Sequence, residues 1–289
     1  MTAILFAFGS MACAAANDVI FKLYARKSSP VGLYILVIGV IWAAVFGTLM
    51  IARENGLGTP AVFWGMISGL FSVAANLLLV EAMKRMEMGV CATVYRMNLI
   101  PAAIMAAFLF DEHFSIWKTA GLAAAAIAVI LFAPRANASG AGTAAGRQGW
   151  MLILAACLCR AGLGIGYKWG LSEGAPLYGI LFANGATWVV GGMLYWLILE
   201  TRLPAHGHVI ARHGIPSGLF VSGIVLFLGL ALRCGEASTV LPVAQLSFIP
   251  TCAAGVILLR EAVSARKIAG IAMAVCCIIF MTLGTGDHA

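Results

Sequence analysis

Ten stretches long enough to cross a bilayer leave this chain few folds to choose from. They run 2–24, 31–52, 60–84, 88–110, 116–133, 149–171, 176–199, 214–233, 237–259 and 266–284. A transmembrane helix needs about 20 predominantly apolar residues. The breaks between them carry proline, glycine and charge: ARKSSP, RENGLGTP, RME, DEHFS, SEGAP, ETRLPAHGHVIARHG, RCGE and REAVSAR. None of the segments shows the short, alternating pattern of a barrel strand. The chain is 62% hydrophobic and 10% charged, where a soluble domain carries about 25% charged residues. Such a chain cannot cover itself with polar surface, so its solvent is lipid. The net charge of +7 comes from basic residues scattered singly. They form no patch, and no nucleic-acid partner is expected.

The segment APRANASGAGTAAGRQG is the one low-complexity linker. It divides the chain into residues 1–134, a connection at 135–148, and residues 149–289, and the two halves repeat. Sliding the sequence by 149 places Glu87 on Glu236, Val94 on Val243 and Pro101 on Pro250. The same shift places Glu112 on Glu261, Ser115 on Ser264, Lys118 on Lys267 and Gly121 on Gly270. A shift of 146 places Lys22 on Lys168 and Pro30 on Pro176, and loops absorb the difference. Five spans per half is an odd number, so the copies must run in opposite directions through the membrane. The expected fold is therefore all-α: ten transmembrane helices in two inverted five-helix repeats around a central cavity. Inverted repeats rock about a site at the midplane, which points to transport.

Orientation follows the Lys and Arg of short loops. Arg26, Lys27, Lys84, Arg85, Arg135, Arg147, Arg202, Arg212, Arg260, Arg266 and Lys267 share one side. Only Arg53, Lys118 and Arg233 occupy the other. The richer side is expected to be cytoplasmic, with both termini extracytoplasmic. The first span lacks a basic leader, so it is expected to stay uncleaved. The eight cysteines mostly lie in apolar runs and read as packing residues. His206, His208 and His213 share a loop without acid or cysteine partners, so no metal is expected. No cofactor is expected, and no nucleophile–base pair suggests an enzyme. There is no Walker motif, so ATP hydrolysis is not expected.

The motif NDVIFK late in the first span and two matching blocks carry a family likeness. The blocks are Pro101, Glu112, Lys118, Gly121 and Pro250, Glu261, Lys267, Gly270. Together with the ten-span layout they resemble the drug/metabolite transporter superfamily, in its EamA-type branch. The resemblance implies a bacterial inner-membrane carrier of small metabolites, often amino acids. It also implies a cavity lined by spans 1, 3, 4, 6, 8 and 9. Members of the family often carry an aromatic–glycine pair ahead of the first-span Asn, where this chain has CAAAND.

Four basic residues fall inside spans: Lys22, Arg96, Arg160 and Lys168. Arg at a helix centre costs at least ~2.5–3.5 kcal/mol on insertion scales, so it faces a wet cavity or an anion. Arg96 and Arg160 lie deep, and both reach one central space if spans 4 and 6 face it. Arg96 has two acidic candidates for an internal pair, Glu81 and Asp18. Lys22 and Lys168 lie nearer span ends, where they can snorkel. Asp18 and Lys22 share a helix face and can neutralise each other. Gln245 holds the repeat position of Arg96. The interior thus holds more cations than carboxylates, and Arg presents a donor fork matched to carboxylate, sulfonate or phosphate.

The candidate substrate-binding residues are Arg96, Arg160, Gln245, Asn76, Tyr95 and Lys168. Asp18, Lys22 and Glu81 are candidates for coupling or gating. Interhelical hydrogen bonding is the alternative role for Asn76 and Gln245. The glycines at 162, 164 and 166 allow close helix approach or local unwinding. The expected cargo is a small anionic or zwitterionic metabolite carried by alternating access. A multidrug or quaternary-cation exporter of the same fold is the alternative. A monomer among membrane lipids is expected.

Overall fold

The computed structural model describes residues 2–25, 30–53, 57–83, 85, 91, 94–112, 115–132, 144–201, 207–247 and 265–284. These are helical almost throughout: α1 (Thr2–Ala25), α2 (Val31–Arg53), α3 (Thr59–Met83), α4 (Leu99–Phe110), α5 (Ile116–Phe132), α6 (Ala144–Ser172), α7 (Leu177–Tyr195), α8 (Gly207–Cys234), α9 (Ala237–Gln245) and α10 (Ala265–Gly284). Among the described residues α1, α2, α3, α6, α7 and α8 are long and apolar enough to cross a membrane. Apolar stretches at Val94–Phe110, Ile116–Leu131 and Ile268–Gly284 are shorter. The chain is a multi-pass membrane protein. Residues 248–264, which complete the expected ninth span and hold Pro250 and Glu261, lie outside the described residues, as do Glu87 and His206.

Helices from the two halves pack in pairs, α1 on α8, α2 on α7 and α3 on α6, while α5 packs on α10 and α4 on α9. Glycine sets how closely the long ones approach. A β-carbon at Gly32 would lie 2.7 Å from the Trp196 amide nitrogen, and one at Gly192 would lie 2.6 Å from that of Leu36. So α2 and α7 meet backbone to backbone. This is how membrane helices associate when lipid removes the hydrophobic drive between them. On α6, Gly162, Gly166 and Gly170 face Phe71, Ser68 and Trp64 of α3. The helix runs unbroken through all of them. Its glycines therefore serve close packing and no unwinding.

One span is interrupted, and a second helix ends at a matching turn. A continuous span over 88–110 is expected from the apolar run, but the helical path of Val94–Arg96 turns at Met97 and Asn98 before α4 begins. The bonds there reach back three residues, from the Met97 amide to Val94 and from the Ile100 amide to Met97. Pro101 has no amide hydrogen to give Met97. The Asn98 side chain donates to the Tyr95 carbonyl at 2.6 Å, offering the backbone a partner other than the helix ladder. α9 likewise stops at Gln245 and turns at Leu246 and Ser247. Those positions lie 149 residues after Met97 and Asn98.

α9 is held at its start by the first half. Asp111 ends α4 in a left-handed conformation, φ 49°, and so turns the chain toward α9. The Glu112 carboxylate then accepts the amides of Ala237 (2.8 Å) and Ser238 (2.7 Å). These amides have no intrahelical acceptor, and the helix dipole favours an anion there. Beside it, the fully buried Lys118 ammonium pairs with Glu236. Glu200 does the same for α2, accepting the amides of Val31 (2.8 Å) and Gly32 (2.9 Å). It stands at the end of a π-helical segment, Trp196–Glu200, that continues α7.

Candidate functional site

The interruption of the fourth span puts Arg96 beside the end of α9. Its guanidinium donates to Ser247 Oγ at 2.8 Å, to the Gln245 carbonyl at 3.4 Å and to Asp18 Oδ2 of α1 at 2.9 Å. Asn98 Nδ2 donates to Gln245 Oε1 at 3.3 Å. The contacts are crossed. Arg96 bonds Ser247, which occupies the repeat position of Asn98, and Asn98 bonds Gln245, which occupies that of Arg96.

Of the two acids proposed for Arg96, Asp18 is its partner. Its side chain is 34% exposed and that of Arg96 is 21% exposed, so the pair is only partly withdrawn from solvent. Glu81 is engaged elsewhere. It accepts the Tyr195 hydroxyl at 2.9 Å and Arg85 at 3.0 Å near the end of α3. Lys168 donates to the carbonyls of Leu232 (3.2 Å) and Gly235 (2.7 Å). There it closes the C-terminal end of α8, which favours a cation. Asn76 donates within its own helix, to the Ser72 carbonyl at 2.8 Å. The Lys22 side chain lies outside the described residues.

Arg160 is different. It sits half-buried in α6 and has no hydrogen-bond or ion-pair partner among the described residues. It acts electrostatically on the hydroxyls of Tyr95 and Tyr167, and Arg96 acts on that of Tyr95 as well. The Tyr95 hydroxyl is buried and lacks a hydrogen-bond partner among the described residues. Arg96 and Arg160 thus both act on Tyr95, whereas Lys168, Glu81 and Asn76 are bonded elsewhere.

A second polar layer was not read from the sequence. Asn184 of α7 donates to Tyr167 Oη at 2.9 Å and Ser68 Oγ at 3.1 Å, and Trp188 Nε1 donates to Ser72 Oγ at 2.9 Å. Trp188 packs on Trp42 with ring centroids 5.5 Å apart. The only sequence signal for this layer is one Asn and two Ser at apolar-face positions, which in an apolar helix reads equally well as packing. The layer joins α3, α6 and α7 through Tyr167, which Arg160 also touches electrostatically.

Residues 1–133 match the EamA-like transporter family. The first half of the chain thus carries the domain of the drug/metabolite transporter superfamily, as the motifs suggested. No curated protein matches the chain. Among solved structures, a crystal structure titled only as that of a protein is 15% identical, with a TM-score of 0.82 over 97% of this chain and 96% of that one. At that identity the likeness shows the fold alone.

Proposed function

We propose that this EamA-like chain is a secondary carrier that moves a small anionic or carboxylate-bearing metabolite, such as an amino acid or organic acid, across a bacterial inner membrane by alternating access. The observation that carries the cargo class is Arg160. It is a half-buried guanidinium with no acidic partner among the described residues, and it acts electrostatically on the buried Tyr95 hydroxyl, which lacks a hydrogen-bond partner among those residues. A carboxylate supplies what both lack, two acceptor oxygens for the guanidinium fork and one for the hydroxyl.

Alternating access draws support from how contacts repeat. Gly65 packs on Ala183 and Gly69 on Thr187, while Gly214 packs on Val37 and Gly218 on Ile41. A slide of 149 carries Gly65 and Gly69 onto Gly214 and Gly218, and one of 146 carries Val37 and Ile41 onto Ala183 and Thr187. Trp42 and Trp188, also 146 apart, pack on each other. Exchanging the halves thus leaves this contact pattern unchanged, as a ten-span inverted repeat requires. The matching turns at Met97–Asn98 and Leu246–Ser247, with Arg96, Asn98, Gln245 and Ser247 bonded across them, support this reading, since carriers of inverted-repeat type bind cargo at broken helices. By the Lys and Arg bias, the end of the bundle holding Glu112 and Glu236 is extracytoplasmic.

The alternative cargo, a quaternary cation, draws on the Trp64–Trp169 pair. The rings stack at 5.5 Å, and both indoles donate to Glu173. Aromatic faces beside a carboxylate suit such a guest.

Thermal stability of the purified protein separates the two cargo classes, because a ligand stabilises by mass action. Carboxylates, sulfonates, amino acids, dicarboxylates and quaternary amines form the panel. An anion should raise Tm in the parent and not in Arg160→Ala. Stabilisation by quaternary amines alone, undiminished in Arg160→Ala, overturns the reading.

A further inference from the structure

The joins between the halves are of two kinds. α1 on α8, α2 on α7 and α3 on α6 interlock through glycines so tightly that a β-carbon meets backbone or side chain within 3 Å at Gly9, Gly32, Gly170 and Gly192. Close-packed surfaces of this sort are not separated without losing their contacts. α9 is close-packed too, with Ala237–Ala244 all buried and a β-carbon at Gly235 lying 2.6 Å from Ala3 of α1, but it is also joined by charge. Its first turn is held by charge, with Glu112 on the amides of Ala237 and Ser238 and Lys118 on Glu236. Its last residue meets the Arg96 and Asn98 contacts.

Nine helical residues span about 13 Å at 1.5 Å each. One short rigid rod therefore links the candidate cargo site to the charged join. Lys118 is fully buried, whereas the Glu236 side chain is 35% exposed. The Glu236 carboxylate is thus partly open to the surface at this end of the bundle, where it would be solvated once separated. Glu112, Lys118 and Glu236 also recur in the sequence as Glu261, Lys267 and Glu87, so each half carries the same three groups.

We propose that Glu112, Lys118 and Glu236 form a latch that shuts the mouth at the N-terminal end of α9, and that opening this mouth separates Lys118 from Glu236. The latch rests on the carrier reading above but not on which solute is carried. A structural staple would hold α9 in place in every state. A latch sets which side of the membrane reaches the site, and sidedness is what the test reads.

Cys159 adjoins Arg160, is partly buried, and lies within electrostatic reach of Tyr95. A charged, membrane-impermeant thiosulfonate added to vesicles of either orientation, with labelled peptides resolved by mass, reports access to it from each side without any substrate. In Glu236→Gln, labelling from the α9 N-terminal side should rise about tenfold and labelling from the other side should fall, as a shifted two-state population requires. Lys118→Met should do the same. The exchange pair Lys118→Glu with Glu236→Lys should return labelling toward the parent. Equal labelling of parent and both single variants from both sides overturns the latch, as does a rise from both sides at once, which marks a loosened fold. Should Glu236→Gln not reach the membrane, Glu236→Asp keeps the charge on a shorter arm and is held to the same comparison. Anion-induced stabilisation, measured separately on the same samples, tests the cargo reading alone.

Discussion

Arg96 and Gln245 stand 149 positions apart and touch, the guanidinium of the first donating to the main-chain carbonyl of the second at 3.4 Å. The two occupy equivalent places in the halves of the chain, one a cation and the other a neutral amide. The contact between halves at this depth is thus made by unlike residues. This gives the site a cationic side and a hydrogen-bonding side.

Because Asp18 neutralises Arg96 at 2.9 Å, an anionic guest must compete with it. Asp18→Asn should therefore tighten anion binding while slowing its release. Removing one partner of a buried ion pair costs about 3–5 kcal/mol, and partial exposure of this pair lowers that cost. The guest recovers part of it by restoring a counter-charge. Anion titrations followed by Tm in parent and variant check the direction, and weaker binding in Asp18→Asn contradicts it.

Arg96→Ala should abolish transport of an anion and leave Asp18 without its partner. Lost flux with Tm changed by only a few degrees is the expected result in proteoliposomes. Unchanged anion flux would remove Arg96 from the site.

The crossed bonds Arg96–Ser247 and Asn98–Gln245 should be energetically linked. A double-mutant cycle with Asn98→Ala and Ser247→Ala is expected to show coupling of about 0.5–3 kcal/mol, the range for residues in one network. Simple additivity would mean that the two bonds act apart.

The α2–α7 contact has no room for a side chain at Gly192, where a β-carbon would lie 2.6 Å from a backbone nitrogen. Gly192→Ala should cost about 1–3 kcal/mol, as overpacking does. Gly207→Ala is the control, since nothing lies within 4 Å of its added carbon. Thermal unfolding of the pair checks the contrast.

Glu112→Gln keeps one acceptor oxygen but turns an amide NH2, a donor, toward the donor amides at the start of α9. It should cost about 1–3 kcal/mol, the penalty for leaving a buried donor unmet. Exchange of the Ala237 and Ser238 amides with solvent deuterium should quicken more than that of amides in α2, which Glu200 holds separately.

Much of the architecture was legible from residue order. The long helices match the apolar runs because helix length in a bilayer is set by hydrocarbon thickness, a local property of the chain. The matched Glu112 and Lys118 were visible as a recurring pattern, but what they hold was not. Their acceptor amides and their carboxylate lie across the other half. The turns at Asn98 and Ser247 were not legible either. A proline is no reliable sign of one, since Pro216 sits inside the unbroken helix α8 while Pro101 follows a turn.

By itself, then, the order of residues determined that this chain lives in lipid, that its halves share a pattern, and that cations are buried deep in two spans. These follow from composition and spacing, which act locally. Which acid meets Arg96, which deep arginine has none among the described residues, and which short helix joins the Arg96 contacts to the Lys118–Glu236 pair were decided only by the tertiary structure. Each depends on side chains that are far apart in sequence and adjacent in space, and electrostatic pairing follows distance in space alone.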